Sequence, residues 1–196
     1  MTIQHGKALG EQGEVEIPNS LLLKVQGLKV SFQKMGGKLL PVIDAANLTV
    51  HQDEAVGLVG ESGSGKTMLC RAILGTLGRH GAVVTAGSLL YNGRELVGSP
   101  ESTWRRVRGR EIGYVPQSSL AGLNPVLTIG TQLMESISCV KRMSGRELQR
   151  EALALLEMVR IPRAKELLTE RPHELSGGMR QRVMIATALA QKPKLL

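Results

Sequence analysis

Residues 60–67 constrain the fold of this 196-residue chain more than any other part of its sequence. They read GESGSGKT and fit the pattern GxxxxGK[ST], in which glycines let backbone amides converge on phosphate oxygens without obstruction by side chains. An apolar run at residues 55–59 precedes them, and apolar residues recur at helical spacing after Lys66. A strand, a glycine loop and a helix in this order predict a binding site for a nucleoside triphosphate.

The residue types in this loop suit the chemistry of phosphate binding. Lys66 brings a positive charge to the β- and γ-phosphates, and Thr67 offers a hydroxyl group to a magnesium ion. The following helix directs the positive end of its dipole at the anion. A flexible glycine turn is the alternative, and the flanking strand and helix disfavour it. The predicted nucleotide-binding residues of the loop are Gly60, Glu61, Ser62, Gly63, Ser64, Gly65, Lys66 and Thr67.

The rest of the sequence alternates between strand-like and helix-like segments, as in an α/β fold. Residues 21–50 read as antiparallel strands with a turn at Gly36 and Gly37, whereas residues 55–59 lack alternation and predict a strand buried on both faces of a parallel sheet. Further strands are predicted at residues 87–93 and 111–115. Helices are predicted after Lys66, along the apolar face made by Leu148, Ala152, Leu155, Leu156 and Val159, and over residues 183–190.

Composition narrows the possible classes of protein. Apolar residues make up 42% of the chain, which is enough for one folded domain, and no run approaches the roughly 18 apolar residues of a membrane-spanning helix. The net charge is +8, but aromatic residues make up only 2%, so the arginines at 105, 106, 108 and 110 indicate a solvated basic face rather than a nucleic-acid site. Cys70 and Cys139 have neither disulfide nor zinc spacing.

A second glycine motif, LSGGMRQR at residues 175–182, precedes the last predicted helix. A serine followed by two glycines at a helix start offers a hydroxyl group, exposed amides and a helix dipole to an anion, although alone it reads as an ordinary helix cap. Downstream of the phosphate loop, it resembles the signature sequence LSGGQ of ABC ATPases. The resemblance implies a P-loop NTPase of the α/β class with an N-terminal antiparallel β-subdomain, a parallel core sheet and a helical insertion at about residues 127–175.

The resemblance also assigns roles to residues outside the phosphate loop. YVPQS at residues 114–118 resembles the Q-loop of the family, which implies that Gln117 touches the magnesium ion and the attacking water. Phe32 lies where the family keeps an aromatic residue for stacking on adenine, although a half-buried strand phenylalanine explains it almost as well. The signature residues implied to contact the nucleotide of a partner chain are Ser176, Gly177, Gly178 and Gln181.

Four segments carry a closer resemblance, to the ATP-binding subunits of dipeptide, oligopeptide and nickel importers. They are GESGSGKT, LNP at residues 123–125, PHELSGGMRQRVMIA at residues 172–186 and KPKLL at residues 192–196. Asp53, Arg171 and Thr67 depart from that pattern. The resemblance implies an ATPase bound peripherally at the cytoplasmic face of the inner (plasma) membrane, with ATP and Mg²⁺ as cofactors. The implied partners are a second, identical or paralogous ATPase subunit, membrane permease subunits and, indirectly, an extracytoplasmic solute-binding protein, with no nucleic acid; the solute stays open.

In the family, the strand that begins at residues 194–196 leads to an Asp that binds magnesium and an adjacent Glu that activates water. Both would follow Leu196, so we expect an incomplete parallel sheet and nucleotide binding without efficient hydrolysis. Residues 1–20 are expected to be a flexible leader, and residues 21–196 a partial nucleotide-binding domain. The alternatives are a binding-only remnant and an ABC ATPase of DNA or translation. The sequence has none of the coiled coils, zinc spacings or tandem cassettes typical of the latter.

Overall fold

The structure is a computed structural model that describes residues 2–7, 20–34, 36–118 and 122–196. The chain divides into two compact units, Met1–Trp104 and Arg105–Leu196. The first unit contains the strands and the helix that follows the phosphate loop, and the second unit is mainly helical. No helix among the described residues combines the length and the apolar character needed to cross a membrane.

In the described part of the first unit, six strands make up two antiparallel sheets. One sheet has four strands in the order β3-β2-β5-β6, and the other pairs β1 with β4. The predicted antiparallel β-subdomain is therefore confirmed. The strands are β1 (Thr2–Lys7), β2 (Leu21–Gln33), β3 (Leu39–His51), β4 (Glu54–Val59), β5 (Ala82–Tyr91) and β6 (Arg94–Glu95). Strand β1 lies within the predicted leader, and residues 8–19 of that leader lie outside the described residues.

Strand β2 is one long strand with a bulge near its middle. Its pairing with β5 shifts register between Gln26 and Lys29, and Gly27 adopts a positive φ of 57° there. The Gly27 amide donates a 2.9 Å hydrogen bond to Asn47 Oδ1 on β3, which provides the bulged amide with an acceptor. Gly87 of β5 faces this bulge with a φ of +89°. Because neither Gly27 nor Gly87 carries a side chain, strands β2 and β5 can approach each other closely here.

Replacing Gly87 by alanine is expected to destabilise the protein by about 2 kcal/mol or more. The new Cβ would lie 2.6 Å from the Leu28 Cα and closer still to the Gly27 carbonyl oxygen, and φ would remain positive. The measurement is the urea midpoint of unfolding. Gly93→Ala is the matched control, because Gly93 also has a positive φ (75°) but a Cβ added there would meet no atom within 4 Å. Equal midpoints for the two variants would contradict the steric argument.

Strand β4 differs from its sequence-based prediction. Its side chains alternate between half-buried and exposed, and Val59 is 52% exposed, so the strand is not buried on both faces. The apolar run does not predict the burial of β4, because burial depends on the strands that flank it. Among the described residues, β4 pairs with β1 alone. Helix α1 (Lys66–Ile73) follows the glycine loop as predicted, and a short 3-10 turn, Leu77–His80, follows α1.

The second unit is built on a helical core. Helix α2 (Glu101–Arg110) spans the division between the units, and α3 (Ile129–Ser138), α4 (Gly145–Met158), α5 (Ala164–Leu167) and α6 (Gly177–Ala190) follow. The predicted helices at the apolar face of residues 148–159 and at residues 183–190 are thereby confirmed. The fully buried side chains in this core come from α3, α4, α5 and α6 and include Ile129, Leu133, Ile137, Leu156, Leu167 and Val183.

The core strand predicted at residues 111–115 is reduced in the structure to the pairing of one residue. Ile112 makes an isolated parallel bridge with Leu195, supported by a 2.8 Å hydrogen bond from the Gly113 amide to the Leu195 carbonyl oxygen. Ile112 and Gly113 are buried, but Tyr114 is 55% exposed. Among the described residues, this bridge is the parallel pairing in the second unit. A strand needs neighbours along its whole length, which the apolar pattern alone does not reveal.

Candidate nucleotide-binding elements

Two glycines give the loop between β4 and α1 its shape. Gly63 and Gly65 have φ angles of 84° and 89°, in the left-handed region that side chains other than glycine rarely adopt. Gly65 is buried, and a Cβ there would lie 3.1 Å from Ile43 Cγ1 and 3.4 Å from the Val42 carbonyl oxygen. Close contact with β3 therefore fixes the end of the loop where α1 begins.

The loop folds around the ammonium group of Lys66. Its Nζ donates hydrogen bonds to the carbonyl oxygens of Gly60 (2.7 Å) and Glu61 (2.6 Å) and to Ser64 Oγ (3.1 Å). The Ser64 amide also donates to the Glu61 carbonyl oxygen at 3.2 Å, which closes the turn. The positive charge of Lys66 is thus held inside the curve of the loop, where it can reach an anion bound to the loop.

The start of α1 is open to an anion. Gly65 is its N-cap residue and cannot supply a side-chain acceptor, so no side chain caps the helix. The Leu69 amide makes the first hydrogen bond of the helix, to the Gly65 carbonyl oxygen (2.8 Å). Amides before that point lack partners within the helix and carry the positive end of the dipole. The exposed Thr67 hydroxyl lies in the same turn, so these groups fit a triphosphate with a magnesium ion.

A cavity lies beside the phosphate loop in the first unit. It is lined by Ser64 and Gly65 of the loop and by residues 42–47 of β3. One of these residues, Asp44, forms a 2.7 Å ion pair with Lys29, and this hydrogen bond and charge hold the pKa of the Asp44 carboxyl group below its usual range. Sequence reasoning missed the β3 residues, because their position next to the loop depends on tertiary packing that no local pattern encodes.

Phe32 lies on β2, half-buried, in register with Leu40 of β3 and Ala82 of β5. Val42, at the register shift between Pro41 and Ile43 of β3, lines the cavity beside the loop. Stacking on adenine stays a prediction.

The signature motif lies at the start of α6 in the second unit. Ser176 is the N-cap residue, and its Oγ accepts a 3.2 Å hydrogen bond from the Met179 amide. Ser176, Gly177 and Gly178 are exposed, and no atom lies within 4 Å of a Cβ built on Gly178. Gln181 is half-buried on the next turn. The motif is therefore accessible to a second molecule.

Two arginines of the motif hold its start in place. Arg180 Nη1 donates to the carbonyl oxygens of Leu175 and Pro172, which precede Ser176. Arg182 Nη1 donates to the carbonyl oxygens of Val159 (2.9 Å) and Arg160 (3.1 Å) at the end of α4. Sequence reasoning missed both roles, because arginines on a helix usually read as solvated cations and carbonyl acceptors leave no trace in the sequence.

Gln117 is exposed and follows Pro116 in the second unit, and residues 119–121 lie outside the described residues. Gln132 of α3 makes hydrogen bonds with the loop of residues 124–127. Its Oε1 accepts from the Asn124 amide (2.9 Å), and its Nε2 donates to the carbonyl oxygens of Asn124 (3.0 Å) and Leu127 (3.1 Å). The predicted contact of Gln117 with magnesium and water remains a prediction.

Comparison with known sequences identifies relatives across most of the chain. Residues 43–196 match a family model described as ABC transporter. The oligopeptide transport ATP-binding protein OppD of Salmonella typhimurium is 41% identical over 179 residues, which is 91% of this chain and 52% of that protein. The oligopeptide transport ATP-binding protein AppD of Bacillus subtilis is 41% identical over 177 residues, 90% of this chain and 54% of that protein. The chain thus spans about half the length of the curated relatives it matches.

Solved structures with the same fold agree with this match. A dimeric structure of the ABC transporter cassette MJ0796 superimposes with a TM-score of 0.70 at 25% identity, over 88% of this chain and 71% of that one. A post-hydrolysis dimer of the ATP-binding cassette MJ0796 with ADP and Pi gives 0.69 at 24% identity, with the same coverage. Both comparisons support the predicted α/β fold of an ATP-binding cassette.

Proposed function

Because the chain belongs to the ABC transporter family, we propose that it is an ATP-binding subunit that energises a membrane importer for peptides or nickel. The observation that carries this proposal is the glycine loop of residues 60–67, with Lys66 held inside it and an uncapped helix behind it. The names of the relatives OppD and AppD, both oligopeptide transport ATP-binding proteins, favour a peptide as the solute.

The loop supplies the groups that hold the triphosphate. Backbone amides at the start of α1 donate hydrogen bonds to phosphate oxygens, and Lys66 Nζ exchanges its bonds with the loop for bonds to the β- and γ-phosphates. Thr67 Oγ is the side-chain ligand proposed for Mg²⁺, which when bound would neutralise charge on the phosphates. Phe32 is proposed to contact the adenine.

The second half of the site is proposed to come from another chain. Ser176, Gly177 and Gly178 are exposed at the start of α6, where amides and the helix dipole favour the γ-phosphate of a nucleotide held by a partner. Gln181 would contact the same nucleotide, and Gln117 would orient the attacking water and touch Mg²⁺. No general base is proposed among residues 1–196, so we expect a polypeptide of these residues to bind ATP but to hydrolyse it slowly.

The proposed partners follow from this role. A second ATPase subunit, identical or paralogous, completes the two-chain site, and membrane permease subunits receive the closing motion of the pair. An extracytoplasmic solute-binding protein would act on the permease rather than on this chain. The proposed location is peripheral, at the cytoplasmic face of the inner (plasma) membrane.

The nucleotide proposal predicts Mg²⁺-dependent ATP binding, with a Kd expected in the range of about 1 μM to 1 mM. A fluorescent ATP analogue is titrated against the protein with Mg²⁺ and with EDTA. In the native protein Mg²⁺ should tighten binding about tenfold, and in Thr67→Val, which keeps the shape but loses the hydroxyl group, this gain should largely disappear. Thr76→Val, in the turn after α1, is the matched control. Absence of saturable binding would contradict the proposed function.

A further inference from the structure

The excess positive charge of this protein lies entirely in one of its two units. Residues 1–104 contain nine Lys and Arg and nine Asp and Glu, whereas residues 105–196 contain sixteen and eight. The net charge of +8 is therefore carried by the mainly helical unit. Such an imbalance concerns association with partners rather than the fold.

Within this unit, five cations lie in or near α4, and we call them the α4 basic patch (Lys141, Arg142, Arg146, Arg150 and Lys192). The first four lie within ten residues at the α3–α4 connection and in the first half of α4, and all are exposed or half-buried. Lys192, just after α6, joins them because Lys141, Glu151 and Lys192 line one small cavity. Lys192 thus lies beside Lys141 and α4.

The acidic residues nearest to the patch do not neutralise it. The Glu147 carboxylate accepts hydrogen bonds from the Ser144 amide and hydroxyl group, both at 2.8 Å, and these bonds, with the charge of Arg150, lower the pKa of Glu147. Glu151 lies 3.8 Å from Lys192 Nζ. In the described part of the chain, Lys141, Arg142, Arg146 and Arg150 make no ion pair within 4 Å. Five cations and two carboxylates leave a charge of +3.

This arrangement is not one that stabilises α4. Lys141, Arg142 and Arg146 lie at or before the first turn of α4, where the positive end of the helix dipole repels cations. A helix selected for stability alone carries acidic residues at this end and basic residues at the other. Helix α4 has one acidic residue in its first turn, Glu147, and no basic residue in its last turn. Departures from a local rule with no structural gain are typical of functional surfaces.

We propose that the α4 basic patch binds the anionic headgroups of a phospholipid membrane. A lipid surface fits better than nucleic acid because no aromatic side chain accompanies the cations for stacking on bases, whereas Val140 beside them is 37% exposed. Flexible Lys and Arg side chains over an apolar residue suit a charged layer above hydrocarbon. This contact goes beyond the proposed function, since it needs neither nucleotide nor permease.

The test is co-sedimentation of the full chain with two kinds of vesicle, one of phosphatidylcholine alone and one that also contains about 30 mol% phosphatidylglycerol. Each is measured at about 0.1 M and about 1 M salt, where the Debye length is about 10 Å and about 3 Å. We expect binding to the anionic vesicles only, lost at high salt. Each cation near such a surface contributes about fivefold to partitioning, so the triple variant Arg142→Gln/Arg146→Gln/Arg150→Gln should bind about a hundredfold more weakly. Its thermal midpoint should not fall, because glutamine is a good helix former and like-charge repulsion at the helix start is relieved.

The matched control, Arg160→Gln/Arg163→Gln/Lys165→Gln, removes the same charge from exposed positions elsewhere in the unit and should retain most vesicle binding. An equal loss in both variants, equal binding to neutral vesicles, or tighter binding to a DNA duplex or an acidic protein than to anionic vesicles would each overturn the proposal. ATP-analogue binding is measured on the same preparations. Vesicle binding without nucleotide binding would contradict the proposed function and leave this inference standing, and the reverse result would overturn the inference alone.

Discussion

Replacing Lys66 by alanine is expected to weaken ATP binding by about a hundredfold. The loss follows from geometry: Lys66 Nζ is the positive charge at the centre of the loop, bonded to the carbonyl oxygens of Gly60 and Glu61 and to Ser64 Oγ. The fold should be retained, because the backbone conformation of the loop depends on the positive φ angles of Gly63 and Gly65, which this substitution leaves in place.

The measurement is a titration with a fluorescent ATP analogue, combined with a thermal melt to establish folding. Lys38→Ala is the matched control, because it removes one exposed lysine from the same unit at a distance in sequence from the loop. A folded Lys66→Ala variant that binds ATP as tightly as the native protein would contradict the assignment of the phosphate loop.

Replacing Ser176 by arginine is expected to weaken the ATP-dependent association of two chains by at least about a hundredfold, while ATP binding to a single chain stays unchanged. Ser176 lies on an exposed helix start, so a long cation there would block approach of a second chain and remove the proposed contact with its nucleotide. The phosphate loop belongs to the other unit of the same chain, which is why single-chain affinity serves as the internal reference.

The substitution also removes a helix cap, because Ser176 Oγ accepts from the Met179 amide, so a structural effect must be separated from a functional one. Ser144→Arg serves this purpose, since Ser144 is the N-cap residue of α4 and lies outside the signature motif. Both variants should lose about 1 kcal/mol of stability, but only Ser176→Arg should prevent ATP-dependent dimerisation, measured by light scattering. A fall in single-chain ATP affinity for Ser176→Arg would count against a site shared between two chains.

Features encoded by nearby residues could be predicted from the sequence. The phosphate loop, the helix behind it and the apolar face of α4 depend on spacings within about two helical turns, and the structure contains α1 and α4 where those spacings indicate them. The turn at Gly36 and Gly37 also follows from residue type alone, since both glycines have positive φ angles. The division of the chain at residues 20 and 21 stays a prediction.

Features that depend on distant neighbours could not be predicted. Whether β4 is covered on both faces depends on flanking strands, and Ala55 and Val59 look equally apolar in either case. The cavity beside the loop needs β3 to approach Gly65, about twenty residues away. The bonds of Arg180 and Arg182 end on carbonyl oxygens, which every residue carries, so no residue pattern marks them.

The bonds of Arg182 have a mechanical consequence. A single guanidinium group joins the helix that begins with the signature motif to the carbonyl oxygens of Val159 and Arg160, directly after the end of α4. Carbonyl oxygens at a helix end carry partial negative charge, so sliding α6 along α4 would separate opposite charges as well as break hydrogen bonds. We therefore expect α4 and α6 to move together as one rigid body when a force acts at Ser176, rather than to slide past each other.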